Sequence, residues 1–199
     1  EGGGVDAVEN PEGLAIATGR VGDQFPGGLL AVHDGSNEGL ATNYKLVSWE
    51  TVVGDPVVVA AGDIACDPAG PDFNGGDGTA DACRQRDTGR LLEGANVAAV
   101  LPLGDAQYDT GAAAAYATAY ATAWGRVMRS ARPVPGDRDY GTAAAAGYFG
   151  YFGAAAGDPA RGYYSYDVGR WHVVALNSEC DEVGGCGAGS AQETWLRSD

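Results

Sequence analysis

Three aspartates in this 199-residue chain directly follow a glycine: Asp63, Asp105 and Asp137. The first two come after apolar runs typical of buried strands, residues 56–61 and 97–101. The third follows Pro133-Val-Pro135, which we interpret as leading to a third strand end. We expect the glycines to let the backbone turn sharply. Ligands of open α/β sheets bind beyond the carboxyl ends of strands, and carboxylates suit hard cations, so the spacing predicts a metal site.

The elements around these aspartates alternate between strands and helices. One helix is predicted over residues 87–93. A longer helix is predicted over residues 112–128, with Tyr116, Tyr120 and Trp124 on one face as core residues. Further predicted elements are a hairpin over residues 163–167 and 171–177 and a last helix opened by a capping box at Ser190-Ala-Gln-Glu193. Residues 55–199 are therefore predicted to form a layered α/β domain.

Residues 1–53 have a different pattern. Short strands are predicted over residues 14–17, 28–32 and 44–47, separated by clusters of Gly, Asp, Asn and Pro. Three such strands are about one antiparallel blade of a β-propeller, and a single blade needs neighbouring blades to bury its faces. We therefore expect a blade fragment over residues 1–53, with the boundary near residues 54–56.

The charge of the chain excludes some classes of partner. The net charge is −15, and an acidic surface repels nucleic acid and anionic membranes. No apolar run reaches the roughly 18 residues of a membrane span. We expect neither nucleic acid nor membrane as a partner.

Four cysteines are present, and none of them forms a CxxC pair. They are Cys66, Cys83, Cys180 and Cys186. An even number in loops rich in Gly and Asp favours two disulfides over a zinc site or buried thiols. Of the three pairings, we favour Cys66–Cys83 and Cys180–Cys186 because each closes a local loop. Disulfides indicate an oxidising compartment, so we expect a secreted or periplasmic protein.

The motifs Gly62-Asp63-Ile64-Ala65, Gly104-Asp105-Ala106-Gln107-Tyr108 and Gly136-Asp137-Arg138-Asp139-Tyr140 resemble the first three sequence blocks of calcineurin-like metallophosphoesterases. The second motif is closer to the purple acid phosphatase branch. The resemblance implies two divalent or iron-type ions (Fe, Zn or Mn) and a small phosphorylated substrate. It implies that Asp63 binds the first metal, that Asp105 bridges both, and that Asp137 binds the second. Tyr108 would also bind the first metal if the site is of the iron type. From the sequence alone, a core tyrosine is as good an interpretation of Tyr108.

Two departures from the family pattern bear on activity. Arg138 stands where the family has His, and an arginine cannot donate a proton near neutral pH, although it can hold phosphate with two hydrogen bonds. The family completes its site with three later histidines, whereas this chain has only His33 and His172, which we interpret as structural or surface residues. We therefore expect a segment of a longer protein with a half-built site.

Residues 1–53 resemble the closing blade of β-propeller phytases. The resemblance is carried by residues 11–16, Phe25-Pro-Gly-Gly-Leu-Leu-Ala-Val-His-Asp-Gly35 and residues 43–50. It implies calcium as the cofactor of the complete propeller and phytate as a substrate. Glu12 and Asp34 are candidates for its acidic rim, but they are also typical of a solvated surface.

The leading hypothesis is a phosphoric-ester hydrolase with parts of two phosphatase modules in tandem. One alternative is a catalytically silent, secreted module that binds metal or phosphate. A second is a structural secreted domain whose aspartates only cap turns.

Overall fold

The computed structural model describes residues 9–36, 43–48, 56–93 and 97–199. The chain forms two compact units, Glu1–Pro56 and Val57–Asp199. Within the described ranges helices and strands are mixed, and the strands form three small sheets. None of the described helices is long and apolar enough to cross a membrane.

The first unit contains a three-stranded antiparallel sheet. Its strands are β1 (Glu9–Ala17), β2 (Leu29–Ser36) and β3 (Asn43–Ser48), in that spatial order. They include the three predicted strands, and Leu30 pairs with both Ile16 and Val47. The side chains of Glu12, His33 and Asp34 lie outside the described part. The assignment of this sheet to a propeller blade stays a prediction.

Parallel strands begin the second unit. β4 (Val57–Ala61) pairs in parallel with β5 (Val97–Pro102). Residues 131–134 add a third parallel segment, in which Arg132 and Val134 donate to carbonyls of β5 at 2.8 and 2.9 Å. Pro133 lies between these two donors, so its nitrogen faces away from β5 and its missing N–H removes no hydrogen bond to that strand. The expected third strand is thus present as a short bridged segment, and the α/β class fits the structure.

The first predicted helix begins earlier and ends earlier than expected. α1 spans Gln85–Arg90. Leu91, Leu92 and Glu93 donate to carbonyls three residues back at 3.2, 3.2 and 3.0 Å, so they form turns. The prediction over residues 87–93 was therefore right in type and shifted in position.

The predicted helix over residues 112–128 is interrupted. It consists of α2 (Ala113–Ala115), a π-helical turn (Tyr116–Tyr120), α3 (Ala121–Ala123) and a 3₁₀ helix (Gly125–Ser130). The side-chain oxygen of Gln107 accepts the N–H of Tyr120 at 3.1 Å. The next N–H, that of Ala121, bonds to the carbonyl of Tyr116 five residues back. A tertiary hydrogen bond therefore accompanies the change to the wider helical spacing.

Later elements follow the predictions closely. β6 (Tyr164–Val168) and β7 (Trp171–Ala175) form the expected hairpin, with Gly169 at φ 61° in its two-residue turn. α5 (Ala191–Ser198) begins after Ser190, whose hydroxyl accepts the N–H of Glu193 at 3.2 Å. The Glu193 carboxylate accepts from the N–H of Gly189 at 3.1 Å, so the capping interaction includes the residue before the cap. The remaining elements are α4 (Ala146–Phe152) and 3₁₀ turns at Asn74–Gly76, Asp139–Gly141, Ala143–Ala145 and Gly153–Ala156.

The aromatic face of residues 116–124 forms the centre of the core, as predicted. Tyr116 and Tyr120 are 0% and 1% exposed. Tyr116 stacks on Tyr151 with ring centroids 5.0 Å apart, and Phe152 meets Tyr120 edge to face at 5.4 Å. Each such pair adds about 0.5–1.5 kcal/mol beyond the burial of its area. The aromatic residues of α4 therefore fix this helix against residues 116–124.

Two disulfides close local loops, and both predicted pairings are confirmed. Cys66 is bonded to Cys83 with a Cα–Cα distance of 5.4 Å, and Cys180 to Cys186 with 5.1 Å. Two such bonds fit an oxidising compartment.

A buried carboxylate connects the third Gly-Asp motif to the core. Asp139 is 0% exposed. It accepts the Tyr116 hydroxyl at 2.6 Å and the N–H of Gly136 at 3.0 Å. Burial raises the pKa of Asp139, whereas these hydrogen bonds lower it. The turn that carries Asp137 is thereby tied to the helical segment.

We predict that Tyr116→Phe lowers the free energy of unfolding by about 1–3 kcal/mol, because the buried Asp139 carboxyl loses a donor. Tyr120→Phe is the matched control, since the Tyr120 hydroxyl is buried with no hydrogen-bond partner in the described part of the chain. Urea unfolding of both variants checks this. Equal losses in the two variants would show that the hydrogen bond to Asp139 contributes nothing.

Candidate functional site

The three Gly-Asp motifs lie together at the carboxyl ends of the parallel strands. Asp63 follows β4, Asp105 follows β5, and Asp137 follows the bridged segment 131–134. The first two motifs continue the parallel pairing: the N–H groups of residues 63, 64 and 65 donate to the carbonyls of residues 104, 105 and 106 at 3.3, 3.2 and 3.1 Å. The topology therefore delivers all three aspartates to one edge.

Close approach of the backbones explains the glycine of the third motif. A Cβ at Gly136 would lie 2.6 Å from the backbone nitrogen of Asp105 and would also collide with its carboxylate. The expected use of a glycine in the turn holds for the second motif, where Gly104 has φ 86°. Asp63 and Asp105 also adopt positive φ, at 53° and 48°, a region that aspartate tolerates better than most residues. Gly136 is thus required for packing against Asp105, whereas the turn of the second motif uses Gly104 and Asp105.

A tyrosine joins two of the aspartates. The Tyr108 hydroxyl donates to Asp63 and, at 3.1 Å, to Asp105. We call Asp63, Asp105 and Tyr108 the carboxylate–phenol cluster. Burial and the neighbouring carboxylates raise the pKa of Tyr108 well above its ordinary value. Burial also raises the pKa of Asp105, against the hydrogen bonds from Arg138 and Tyr108, and the nearby Asp137 carboxylate raises it further.

Arg138 lies at the margin of the cluster. Its backbone N–H donates to Asp105 at 3.0 Å. Its guanidinium is 3.7 Å from the Asp137 carboxylate and 5.8 Å from the centroid of the Tyr108 ring. The Arg138 side chain is half exposed, so its charge is only weakly engaged by Asp137. This leaves one partly exposed cation beside three acids.

The residue that positions these groups is Gln107, a role that the sequence reasoning missed. Its side chain is 0% exposed and donates to the carbonyls of Ala65, Cys66 and Tyr108 at 3.3, 3.0 and 2.8 Å. Its oxygen accepts the N–H of Tyr120. A long polar residue directly before Tyr108 at a strand end is the one sequence signal that could have indicated this role.

The donor set can be compared with what a metal ion requires. In the described ranges, no three His, Cys, Asp or Glu side chains form a group that could hold a metal ion. Two carboxylates and a phenol nevertheless converge on one point, the Tyr108 hydroxyl, and Asp137 adjoins Asp105. These are oxygen donors, which hard cations prefer, and a metal would have to replace the phenolic proton.

His172, the histidine whose side chain the structure describes, lies in a separate charged group. The two ring nitrogens of His172 contact the carboxylates of Asp167 and Asp199, each at 2.8 Å, and the side chain is half exposed. The hydrogen bonds to these carboxylates raise the pKa of His172, and the bond to Asp199 has a larger effect than the bond to Asp167. The partners of His172 thus lie on the hairpin and at the end of α5.

Two openings adjoin the cluster, and Cys66 and Cys83 line both of them. A cavity of about 190 Å³ is lined by Asp63, Arg84, Gln85 and Trp124. A wider groove of about 310 Å³ is lined by Asp67, Asp72, Tyr108 and Asp109. Asp63 borders the first and Tyr108 the second, so both openings reach the cluster.

No protein-family model, curated protein or solved structure matches this chain. The assignment to the metallophosphoesterases therefore rests on the three Gly-Asp motifs and stays a prediction. The roles in metal and phosphate binding rest on the same motifs and also stay predictions. They concern Asp63, Asp105, Tyr108, Asp137 and Arg138.

We predict that Gly136→Ala lowers the free energy of unfolding by about 1–3 kcal/mol, because its methyl group would overlap Asp105. Gly150→Ala in α4 is the matched control: a Cβ there meets nothing within 4 Å, and a helical Gly→Ala change should stabilise by up to about 1 kcal/mol. Thermal and urea unfolding measure both. A Gly136→Ala variant as stable as the wild type would contradict the close packing of the second and third motifs.

Proposed function

We propose that this chain carries the site of a secreted, metal-dependent phosphoric-ester hydrolase. The observation that supports it best is the convergence of Asp63, Asp105 and Tyr108 on one point at the carboxyl ends of parallel strands. Such strand ends are where α/β sheets bind ligands. The resemblance of the motifs to metallophosphoesterases supplies the reaction class.

In this proposal each residue has a distinct task. Asp63 and Tyr108 would hold the first metal ion, Asp137 would hold the second, and Asp105 would be a ligand of both. When bound, the ions supply a water of lowered pKa as the nucleophile. Because the donors are oxygens, manganese or iron suits the site better than zinc.

Arg138 provides the contact to substrate. A guanidinium can bind two phosphate oxygens at once, and it offsets part of the negative charge of the three aspartates. It cannot serve as an acid for the leaving group near neutral pH. Substrates whose leaving groups need little protonation should therefore react best.

The first unit extends the proposal. If its sheet is the closing blade of a phytase propeller, calcium is a cofactor of the complete propeller and phytate is a candidate substrate. The two disulfides support an oxidising setting such as the periplasm or the exterior of the cell. The second unit would then remove phosphate from products of the first.

A second candidate is a module that binds metal or phosphate without turnover. Two observations favour it: Arg138 occupies the position of the family's histidine, and the chain has only two histidines. Turnover separates this candidate from the hydrolase, and metal content separates both from a purely structural domain.

We predict that the chain binds manganese or iron ions and that Asp105→Asn weakens this binding. Loss of a residue that only supports a metal ligand lowers metal affinity by roughly 10–100-fold, and loss of the ligand itself should lower it further. Asp181→Asn is the matched control, because Asp181 is exposed and lies in the Cys180–Cys186 loop. Metal bound per chain is measured by mass spectrometry after dialysis. Hydrolysis of an aryl phosphate, expected to be slow, is measured in parallel. Absence of metal from the wild type would overturn the proposed function, whereas metal binding without turnover would select the second candidate.

We predict that Arg138→His raises turnover, because a missing general acid costs about 10²–10⁴ in rate. The gain should be larger for alkyl phosphates than for aryl phosphates, whose leaving groups need little protonation. Arg161→His is the control, since Arg161 is an exposed arginine paired with Asp158. If Arg138→His instead lowers activity on both substrates, catalysis depends more on the phosphate contact of Arg138 than on a general acid, and the interpretation of this site as impaired is wrong.

A further inference from the structure

The cavity beside Asp63 has a lining of mixed character. It lies between the residues that end β4, the Cys66–Cys83 disulfide and α1, with the Trp124 ring among its walls. Its volume of about 190 Å³ corresponds to roughly six water molecules at about 30 Å³ each, so a small organic group fits inside. Asp63 belongs both to this lining and to the carboxylate–phenol cluster.

Most polar groups of the lining already have partners. The Trp124 indole donates to the Thr88 hydroxyl at 3.1 Å, and that hydroxyl donates to the Gln85 carbonyl at 3.1 Å. The Arg84 guanidinium is paired with Asp87. The charges and hydroxyls around the cavity are therefore engaged without any ligand.

The side-chain amide of Gln85 is the exception. Gln85 is 1% exposed, and neither its amide nitrogen nor its amide oxygen has a hydrogen-bond partner within the described residues. A buried polar group without a partner is destabilising, and such groups are rare in folded proteins. Gln85 lines the cavity, so a ligand there could supply both missing hydrogen bonds.

The nitrogen and oxygen of the Gln85 amide define the chemistry of that ligand. An amide needs one partner that accepts and one that donates, and an alcohol hydroxyl does both. Arg84 is paired with Asp87, which also pairs with Arg90, and the lining itself holds one cation, Arg84, and one anion, Asp63. Its charges balance, so it does not favour an anion. A neutral molecule with several hydroxyl groups fits both the amide and the apolar wall.

We infer that this cavity binds the alcohol portion of the substrate and selects phosphate esters of small polyols. The inference rests on the proposed function, because it places the phosphoryl group at the cluster and the alcohol on the other side of Asp63. Gln85 is then the residue that determines specificity, through hydrogen bonds to the hydroxyl groups of the alcohol. Phosphate binding itself depends on Arg138 and not on Gln85.

The test is an NMR titration of the nitrogen-labelled chain with glycerol, glycerol 2-phosphate and inorganic phosphate, in the presence of zinc as a diamagnetic ion for the cluster. The Gln85 side-chain amide is assigned by its absence in Gln85→Met. This change keeps the length of the side chain and removes an amide without a partner in the described ranges, so folding should be retained. Glycerol and glycerol 2-phosphate should shift the Gln85 amide saturably, and inorganic phosphate should shift only the resonances of residues 104, 105 and 138. Gln85→Met should weaken glycerol 2-phosphate binding at least tenfold and leave inorganic phosphate binding unchanged.

The outcomes separate the inference from the function on which it rests. If both polyol ligands leave the Gln85 amide unshifted, or if Gln85→Met binds glycerol 2-phosphate as tightly as the wild type, the cavity holds only water and the inference fails. If glycerol shifts the Gln85 amide while inorganic phosphate shifts nothing near Arg138, the polyol site stands and the proposed function fails.

Discussion

The side chain of Gln107 connects the segments that build the candidate site. Its amide nitrogen donates to carbonyls on both sides of the strand ends, at Ala65 and Cys66 and at Tyr108, and its oxygen accepts from Tyr120. The bonds with Ala65 and Tyr120 are buried and those with Cys66 and Tyr108 are partly buried. In a buried position an unmade hydrogen bond costs the full desolvation of the group. The position of Tyr108, the start of the Cys66–Cys83 loop and the π-helical turn therefore depend on one amide.

Two other buried polar residues extend this connection to the rest of the second unit. Asp139 ties the turn of the third motif to Tyr116. Asn177 donates to the Tyr140 hydroxyl at 2.8 Å and exchanges hydrogen bonds with Gln192 of α5 at 2.8 and 2.9 Å. The core itself is aromatic and holds these polar groups in fixed positions. A site on loops is thereby supported by the packing of the helices beneath it.

Electrostatics sets the chemistry that such a site can perform. The chain carries a net charge of −15, and Asp63, Asp105 and Asp137 add locally to that negative field. A phosphate ester approaching this edge needs positive charge, which Arg138 supplies in part and metal ions would supply in full. The raised pKa of Asp105 has burial as its main cause, with the nearby Asp137 adding to it, which is the situation that a bound cation would relieve.

The sequence by itself determined the local features of this protein. Apolar runs predicted β4 and β5, aromatic spacing predicted the core face of Tyr116 and Tyr120, and the small loops between cysteines predicted both disulfide pairings. These features depend on periodicity and on short separations along the chain, which a sequence records directly. The common edge of the three aspartates also followed, because parallel strands end on the same side.

Only the tertiary structure decided how those aspartates are held. The tasks of Gln107 and Asp139, the interruption of the helix at Tyr116–Tyr120 and the close approach of Gly136 to Asp105 all arise from contacts between residues distant in sequence. The Gln85 amide, which lacks a partner among the residues that the structure describes, belongs with them, since a helix pattern does not tell whether a polar side chain meets water, protein or a cavity. Hydrogen bonds in a dry interior depend on where each donor and acceptor lies in space, and that is settled by packing of the whole unit.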